Sequence, residues 1–441
     1  MESPLRNWSV LAMIGVWAAA LTGVALPARA QTAMPGGSRL TLAQARDFAL
    51  QNNPRIRSAA SNAGAAAAVV KEARSAEFPN LWGNVTSAGA QHSTVLSAGA
   101  LQTSSLYSRF ASGIGVTQLV TDFGRTGSLV QSAAIRAQAQ NISSEAVRQQ
   151  VLLDVEQAYF QALGANAVHE AAQAAVNSRE VTLRQIRTLA ESSMRSTLDV
   201  RFAEVSLSQA QLDLYRAENN AVEAQAHLSA AMGLDRPQTF ILADEPMPAA
   251  LAGDPSALIQ SSLQNRPDLR ASGLLRDAAH RFAEAEARLN RPSVAFLGAA
   301  GVVPAGDPRL PSHYSAAGVN VTIPVLNGGL FSGRRAEAEQ RAAAAESDAR
   351  EVLIEIVRQV QTAWLEANTA ARRIDVTVRL VAESAEALRL AQTRYDNSLG
   401  SIVELSQAQL NQTAAQIENA NARYEYLSRR VALDYATGVI Q

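Results

Sequence analysis

The sequence predicts a mainly α-helical protein that also contributes to a membrane β-barrel. It is built from two structural repeats, each with two β-strands and a long antiparallel coiled-coil hairpin. Three observations support this. The chain repeats itself at a constant offset, each repeat holds a charge-poor window with strand periodicity, and a long proline-free helical pattern follows each window.

The repeat comes first because it organises everything else. Ala49-Leu50-Gln51-Asn52-Asn53-Pro54-Arg55-Ile56-Arg57 returns as Ser262-Leu263-Gln264-Asn265-Arg266-Pro267-Asp268-Leu269-Arg270. From Gly113 onward an offset of 205 aligns the halves without a gap. Gly113 meets Gly318, Gly124 meets Gly329, Tyr159 meets Trp364, Ser196 meets Ser401, Asp199 meets Glu404 and Gly233 meets Gly438.

Each repeat opens with a short helix. Thr41-Leu42-Ala43-Gln44 has the capping-box pattern, and Asp254-Pro255 reads as an N-cap followed by an N1 proline. Asn53-Pro54 and Arg266-Pro267 then break the helix, because the residue before proline is pushed out of the helical region. A second helix runs to about Glu77 and Asn290. Between Phe78 and Thr121 the only charged side chain is Arg109; between Pro292 and Gly333 the only ones are Asp307 and Arg309. Val319, Val321, Ile323 and Val325 alternate with Asn320, Thr322 and Pro324, and Ile114, Val116 and Val120 behave likewise. This period of two predicts a pair of strands per window, with Ser97–Ser108 and Pro304–Ser312 as connecting loops.

Val147, Val151, Val155, Ala158 and Ala162 step by four and three, as do Ile374, Val378, Val381, Ala385 and Leu388. No proline occurs from Arg125 to Ser192, so that helix can extend roughly 100 Å at ~1.5 Å per residue. Leu399-Gly400 reads as the end of the second long helix. Ser401-Ile402-Val403-Glu404 reads as a capping box for the returning one, with Ser196-Thr197-Leu198-Asp199 a weaker counterpart. Leu410, Ala414, Ile417, Tyr424, Leu427 and Val431 are the expected returning seam. The domain plan is a signal peptide over 1–30, a first repeat over 31–235, a connector over 236–255 rich in Pro237, Pro246, Pro248 and Pro255, and a second repeat over 256–441. Strands are expected at about 79–121 and 292–326, and hairpins at about 123–232 and 330–437.

Composition narrows the function classes. The 441 residues carry 39 basic and 40 acidic side chains, a net charge of −1, which gives no electrostatic reason to expect nucleic acid. The absence of cysteine removes disulfides, thiol nucleophiles, zinc–thiolate sites and a lipid anchor on an N-terminal cysteine. Arg6, the apolar stretch Trp8 to Leu26 and Ala28-Arg29-Ala30 before Gln31 read as an export signal with its cleavage site. The competing reading, an uncleaved anchor, is opposed by those small residues. No later window offers ~20 consecutive apolar residues, so any further membrane crossing must use strands. Strands of about ten to twelve residues suit an outer membrane, but four cannot close a barrel alone. Open edges would leave backbone groups unpaired in lipid, so two or three chains must contribute.

The repeat, the paired charge-poor windows and the segment Ala420-Asn421-Ala422-Arg423-Tyr424-Glu425-Tyr426-Leu427 resemble the TolC family of outer-membrane efflux channels, over essentially Thr41 to Ile440. The resemblance implies a homotrimer with a 12-stranded β-barrel in outer-membrane lipid, continued by an α-helical barrel into the periplasm. It implies docking on a periplasmic adaptor (membrane fusion protein) and an inner-membrane transporter, which expel drugs, metals or polypeptides. The channel itself needs no cofactor and catalyses nothing.

The resemblance also implies site residues. Asp199 matches the family's tip aspartate and Tyr395 its tyrosine partner in the contact that holds the periplasmic tip closed. The arginine expected five residues after the tyrosine is replaced by Gly400, and Arg195, at the equivalent repeat position, is the substitute. Glu404 matches a carboxylate that selects cations inside the tip; the second such position is Gln407, leaving one carboxylate per chain. Helix capping explains Asp199 and Glu404 equally well, and Tyr395 also fits an ordinary seam position. The loops Ser193–Thr197 and Leu399–Ile402, with Ser193, Ser196, Leu399, Gly400 and Ser401, are the expected adaptor-docking surface, or else plain solvated turns. The five histidines (His92, His169, His227, His280, His313) lack ligand spacing, so no metal site is expected. No Gly-rich phosphate loop and no catalytic constellation stands out. The main rival is a periplasmic coiled-coil adaptor or scaffold without a pore. Such proteins normally carry one hairpin per chain, whereas this sequence carries two.

Overall fold

The structure, a computed structural model, describes residues 39–89, 95–98, 101–105, 109–248, 251, 253–306, 308 and 310–440. The expected signal peptide lies outside the described residues. Strand β1 (Arg39–Leu40) leads into helices α1 (Leu42–Asn52) and α2 (Pro54–Ser75). The Thr41 capping box forms as expected, with the Gln44 backbone N–H donating to Thr41 Oγ1 at 3.3 Å and Gln44 Oε1 accepting from the Thr41 N–H at 3.0 Å. Strands β2 (Asn80–Ala88), β3 (Val95–Ala98), β4 (Leu101–Ser105) and β5 (Arg109–Thr121) fill the first window. Helices α3 (Arg125–Glu191) and α4 (Thr197–Ala231) make the first hairpin. The connector carries β6 (Ile241–Leu242). The second half then follows as α5 (Ser256–Asn265), α6 (Pro267–Ala287), β7 (Ser293–Gly306), β8 (His313–Thr322), α7 (Leu330–Asp396) and α8 (Ile402–Ala436).

The repeat is reproduced residue for residue in the hairpins. Adding 205 to the bounds of α3 and α4 gives those of α7 and α8. The left-handed positions repeat as well: Gly124 and Gly329 have φ of 88° and 87°, Ser193 and Ser398 58° and 59°, and Gly233 and Gly438 83° and 72°. The last pair has a packing reason too. A Cβ on Gly233 would sit 2.8 Å from Asn53 Cα, and one on Gly438 3.1 Å from Asn265. Each glycine lets the end of a returning helix press against the Asn-Pro or Arg-Pro break of its own half.

Four strands join in one antiparallel sheet of order β2-β5-β7-β8, so the two windows meet through β5 and β7. The register sorts its faces. Leu81, Val116, Ile114, Phe296 and Val319 share one side, and Asn84, Thr86, Thr117, Asn320 and Thr322 lie on the other. On that second side Trp82 lies over Gly115 and Tyr314 over Gly113 and Gly301, where a Cβ would collide with the rings. β8 is exposed along its whole length, and no helix is long and apolar enough to cross a membrane among the described residues. The expected first-window loop needs correction: within Ser97–Ser108, β4 pairs antiparallel with β3. The expected second loop starts late, because β7 continues to Gly306.

The helical core centres on α3. Val151, Leu152, Val155 and Tyr159 are fully buried, as are Leu228 and Met232. Tyr159 Oη lies 2.8 Å from the Leu40 carbonyl and 2.7 Å from that of Ala243, fastening the parallel β1–β6 pair. In the second half Ile356, Val360, Ala363 and Ala367 pack with Leu433 and Ala436, with Trp364 alongside. On α7 the buried stripe Ala363, Ala367, Ala370, Thr377, Ser384, Ala391 and Tyr395 keeps a heptad phase. The expected Val378 is exposed, and Thr377 and Ser384 hold the seam in its place. They can, because their hydroxyls donate to the carbonyls of Ile374 and Val381 at 3.0 and 3.1 Å. Leu410 and Ala414 on α8 likewise face outward, with Gln409 and Ala415 buried beside them. At the start of α5 the cap shifts by one residue, with Asp254 Oδ1 accepting from the Ser256 N–H at 3.0 Å.

Candidate functional site: the hairpin tips

Both hairpins turn through the same backbone motif. The Ser193 and Met194 N–H groups donate to Ala190 and Leu189, and those of Ser398 and Leu399 to Tyr395 and Arg394, at 2.8–3.0 Å. The left-handed residue is a serine in each turn. Gly400 therefore does not end α7 in the way the sequence suggested, and its φ is not positive. It leaves the turn close-packed, since a Cβ there would lie 3.2 Å from Glu404 Oε2 and 3.3 Å from the Tyr395 nitrogen.

Three of the expected tip residues meet. Tyr395, 3% exposed at the end of α7, donates its hydroxyl to Asp199 Oδ2 on α4 at 3.4 Å. Arg195, in the first turn, places its guanidinium 4.3 Å from the centre of the Tyr395 ring and donates Nη2 to the Tyr395 carbonyl. The first hairpin thus holds the second through one tyrosine. Burial pushes the Tyr395 hydroxyl up to about 12, and the charge of Asp199 adds to the shift. Under the clasp, Leu183, Ile186, Ala203, Ile402 and Leu405 form an apolar cluster.

The capping alternatives separate here. Ser196 Oγ accepts from the Leu198 N–H at 3.1 Å, so the Asp199 carboxylate is left to Tyr395. Ser401 Oγ accepts from the Glu404 N–H at 3.1 Å, which is the first half of a capping box. The reciprocal half is replaced: Glu404 Oε1 pairs with Arg394 Nε at 3.2 Å, because Arg394 on the last turn of α7 lies directly across the tight Gly400 turn. Arg394 also donates to the Leu399 carbonyl at 3.0 Å. Sequence reading missed Arg394; an arginine in the last turn of a helix, across a tight hairpin from Glu404, was the signal available. The outer surface of the turns carries Met194 and Leu399, 69% and 71% exposed at equivalent repeat positions, beside exposed Leu198 and Val403. Further along, two polar rungs cross from hairpin to hairpin. Gln409 Nε2 donates to Thr182 Oγ1 and Arg179 Nη2 to Thr413 Oγ1, both at 3.2 Å. Among the described residues no cluster of histidine and acidic side chains could hold a metal ion.

Residues 45–234 and 258–439 match the outer membrane efflux protein family. The solvent efflux pump outer membrane protein SrpC of Pseudomonas putida is 25% identical over 415 residues, covering 89% of this chain and 84% of its own. The outer membrane protein TolC of Vibrio cholerae is 23% identical over 414 residues, covering 90% and 91%. Among solved structures, the Campylobacter jejuni CmeC outer membrane channel superposes with a TM-score of 0.77 at 20% identity, covering 90% of this chain and 85% of its own. A Pseudomonas aeruginosa membrane protein gives 0.78 at 24%, covering 90% and 93%. Family and structural neighbours are channel proteins and not enzymes. With its four-stranded sheet and paired long hairpins, the chain belongs to the outer membrane efflux protein family, seated in the outer membrane with its helices extending into the periplasm.

Proposed function

We propose that the chain is one third of a passive export duct whose periplasmic tip is a gate. The observation that carries this reading is the four-stranded sheet, apolar on one face and with both edges unpaired among the described residues, leading into 67-residue helices. In lipid those edges must be paired by other copies, and three copies give a closed barrel of twelve strands. The helices support the same arrangement. Phe202, Val205, Leu212, Tyr215 and Val222 form an exposed apolar stripe on α4, and Val376, Leu380 and Leu390 one on α7. Two such stripes suit packing against neighbouring copies around a ring.

At the tip, the Arg195–Tyr395–Asp199 contact is the lock and Glu404 the cation-selecting group. The surface carrying Ser193, Ser196, Leu399, Gly400 and Ser401, with its exposed Met194 and Leu399, receives a periplasmic adaptor. An inner-membrane transporter supplies the energy. Relatives named for solvent and toluene efflux favour small molecules over polypeptides as cargo. The Neisseria gonorrhoeae MtrE channel, similar in fold with a TM-score of 0.74, has been captured in an open state, so this architecture accommodates opening.

The test is single-channel conductance of the detergent-purified protein in a planar bilayer, beside Asp199→Ala. A small cation-preferring conductance that rises in the variant supports the gate. An unchanged conductance keeps the duct and removes Asp199 from the clasp. A protein that needs no detergent and conducts nothing is the rival, a periplasmic adaptor.

A further inference from the structure

Arg179 sits where a coiled-coil seam wants an apolar residue. The buried α3 positions Ala172, Val176, Arg179, Leu183 and Ile186 step by four and three, and Arg179 is only 4% exposed. Its one hydrogen bond is to the neutral Thr413 hydroxyl of α8; its Nε has no partner, and burial lowers its pKa with no carboxylate opposing the shift. The other buried arginine among the described residues is treated differently. Arg266, 3% exposed, also has one nitrogen, Nη1, without a partner, but it has both oxygens of Asp268 as a counter-charge at 2.9 and 2.6 Å and Gln359 at 3.1 Å. The repeat sharpens the contrast, because the counterpart of Arg179 at an offset of 205 is Ser384, a small hydroxyl satisfied by its own helix.

We infer that Arg179 is a release element, a buried cation without a counter-charge that drives α3 and α8 apart once the tip clasp lets go. An arginine cannot shed its proton to escape burial, so the desolvation cost persists for as long as the two helices are joined. Parting the hairpins returns the guanidinium to water and breaks only its single bond to an uncharged hydroxyl and the Gln409–Thr182 rung beside it. Further from the tip, Tyr424 packs closely on Gly164, where an added Cβ would lie 3.2 Å from the tyrosine Cβ, and this keeps the seam joined. The clasp favours the joined state at one end of the seam and Arg179 opposes it in the middle. Two opposed terms of this kind make a bistable element that a docking partner can tip. The inference rests on the tip-gate reading above, and the experiment separates the two.

The protein has no cysteine, so the thiol introduced by Gln409→Cys reports the seam alone. Its maleimide labelling rate in the purified channel is measured with and without Arg179→Met, an apolar side chain of similar reach, and with Arg179→Lys, which keeps the charge. Ala278→Cys, in the fully buried core of α6, monitors general loosening. The expected result is labelling slowed at least about threefold by Arg179→Met and unslowed by Arg179→Lys, with the Ala278→Cys rate unchanged. Conductance of Asp199→Ala should fall when Arg179→Met is added. Labelling that Arg179→Met leaves unchanged or speeds, or that Arg179→Lys slows equally, overturns the inference whatever the conductance does. If neither Asp199→Ala nor Arg195→Ala raises conductance, the tip gate is the reading that falls, and the labelling rates still decide the seam.

Discussion

Replacing Arg195 with alanine removes two contacts from Tyr395 at once. The first is a guanidinium stacked 4.3 Å from the ring centre, which is about 1 kcal/mol for a partly exposed pair. The second is a charged donor on the Tyr395 carbonyl, about 1 kcal/mol after discounting for exposure. The loss of about 2 kcal/mol lowers the clasped-to-parted ratio roughly 30-fold per chain. Tyr395→Phe keeps the stacking and removes only the 3.4 Å bond to Asp199, a long bond worth about 0.5 kcal/mol, or roughly twofold. The structure therefore ranks the two: Arg195→Ala opens the tip far more than Tyr395→Phe. Single-channel recording reads this as the fraction of time spent in the larger conductance. If Tyr395→Phe matches or exceeds Arg195→Ala, the assignment of Arg195 as the main holding group is wrong. Wild-type conductance in Arg195→Ala refutes the clasp altogether.

Three further outcomes follow from the same geometry. Gly233→Ala should destabilise more than Gly438→Ala: both force an L residue into a left-handed φ at about 1 kcal/mol, but the nearest backbone atom is at 2.8 Å in one case and 3.1 Å in the other. Thermal loss of helical circular dichroism at a fixed scan rate checks the order. The Tyr395 proton is held more tightly in the clasp, to about 12, than in water at about 10. The clasp's contribution is thus full below pH 10 and lost as pH climbs towards 12, so conductance should rise across that window in the wild type and not in Tyr395→Phe. Glu404→Gln should weaken cation preference and Arg394→Ala should strengthen it, read as reversal potentials in a salt gradient, because the two charges offset one another at 3.2 Å.

Much of the helical plan was legible because it is written twice. Gly124 and Gly329, and Gly233 and Gly438, mark helix ends by a backbone need that only certain residues meet, and internal alignment exposes such positions. The phase of a seam is harder to read. Val378 looks apolar enough to be buried, yet Thr377 takes the place, since a hydroxyl can satisfy itself on its own helix. Contacts between distant segments were invisible for a different reason. The β5–β7 junction, the two-residue β1–β6 pair under Tyr159 and the Arg394–Glu404 bridge leave no periodic trace. At the tip, resemblance pointed to Asp199, Tyr395 and Arg195, but only geometry shows that Arg195 contacts the ring and carbonyl of Tyr395. Arg179 was hidden because a heptad search for apolar residues passes over an arginine.

A membrane duct requires closure of the four-stranded sheet by other copies of the chain. Native mass spectrometry of the protein extracted from outer membranes in a mild detergent tests this directly. The prediction is a particle of three chains that dissociates to monomer only on denaturation. A monomer that leaves the membrane fraction without detergent would contradict the barrel, and with it the duct.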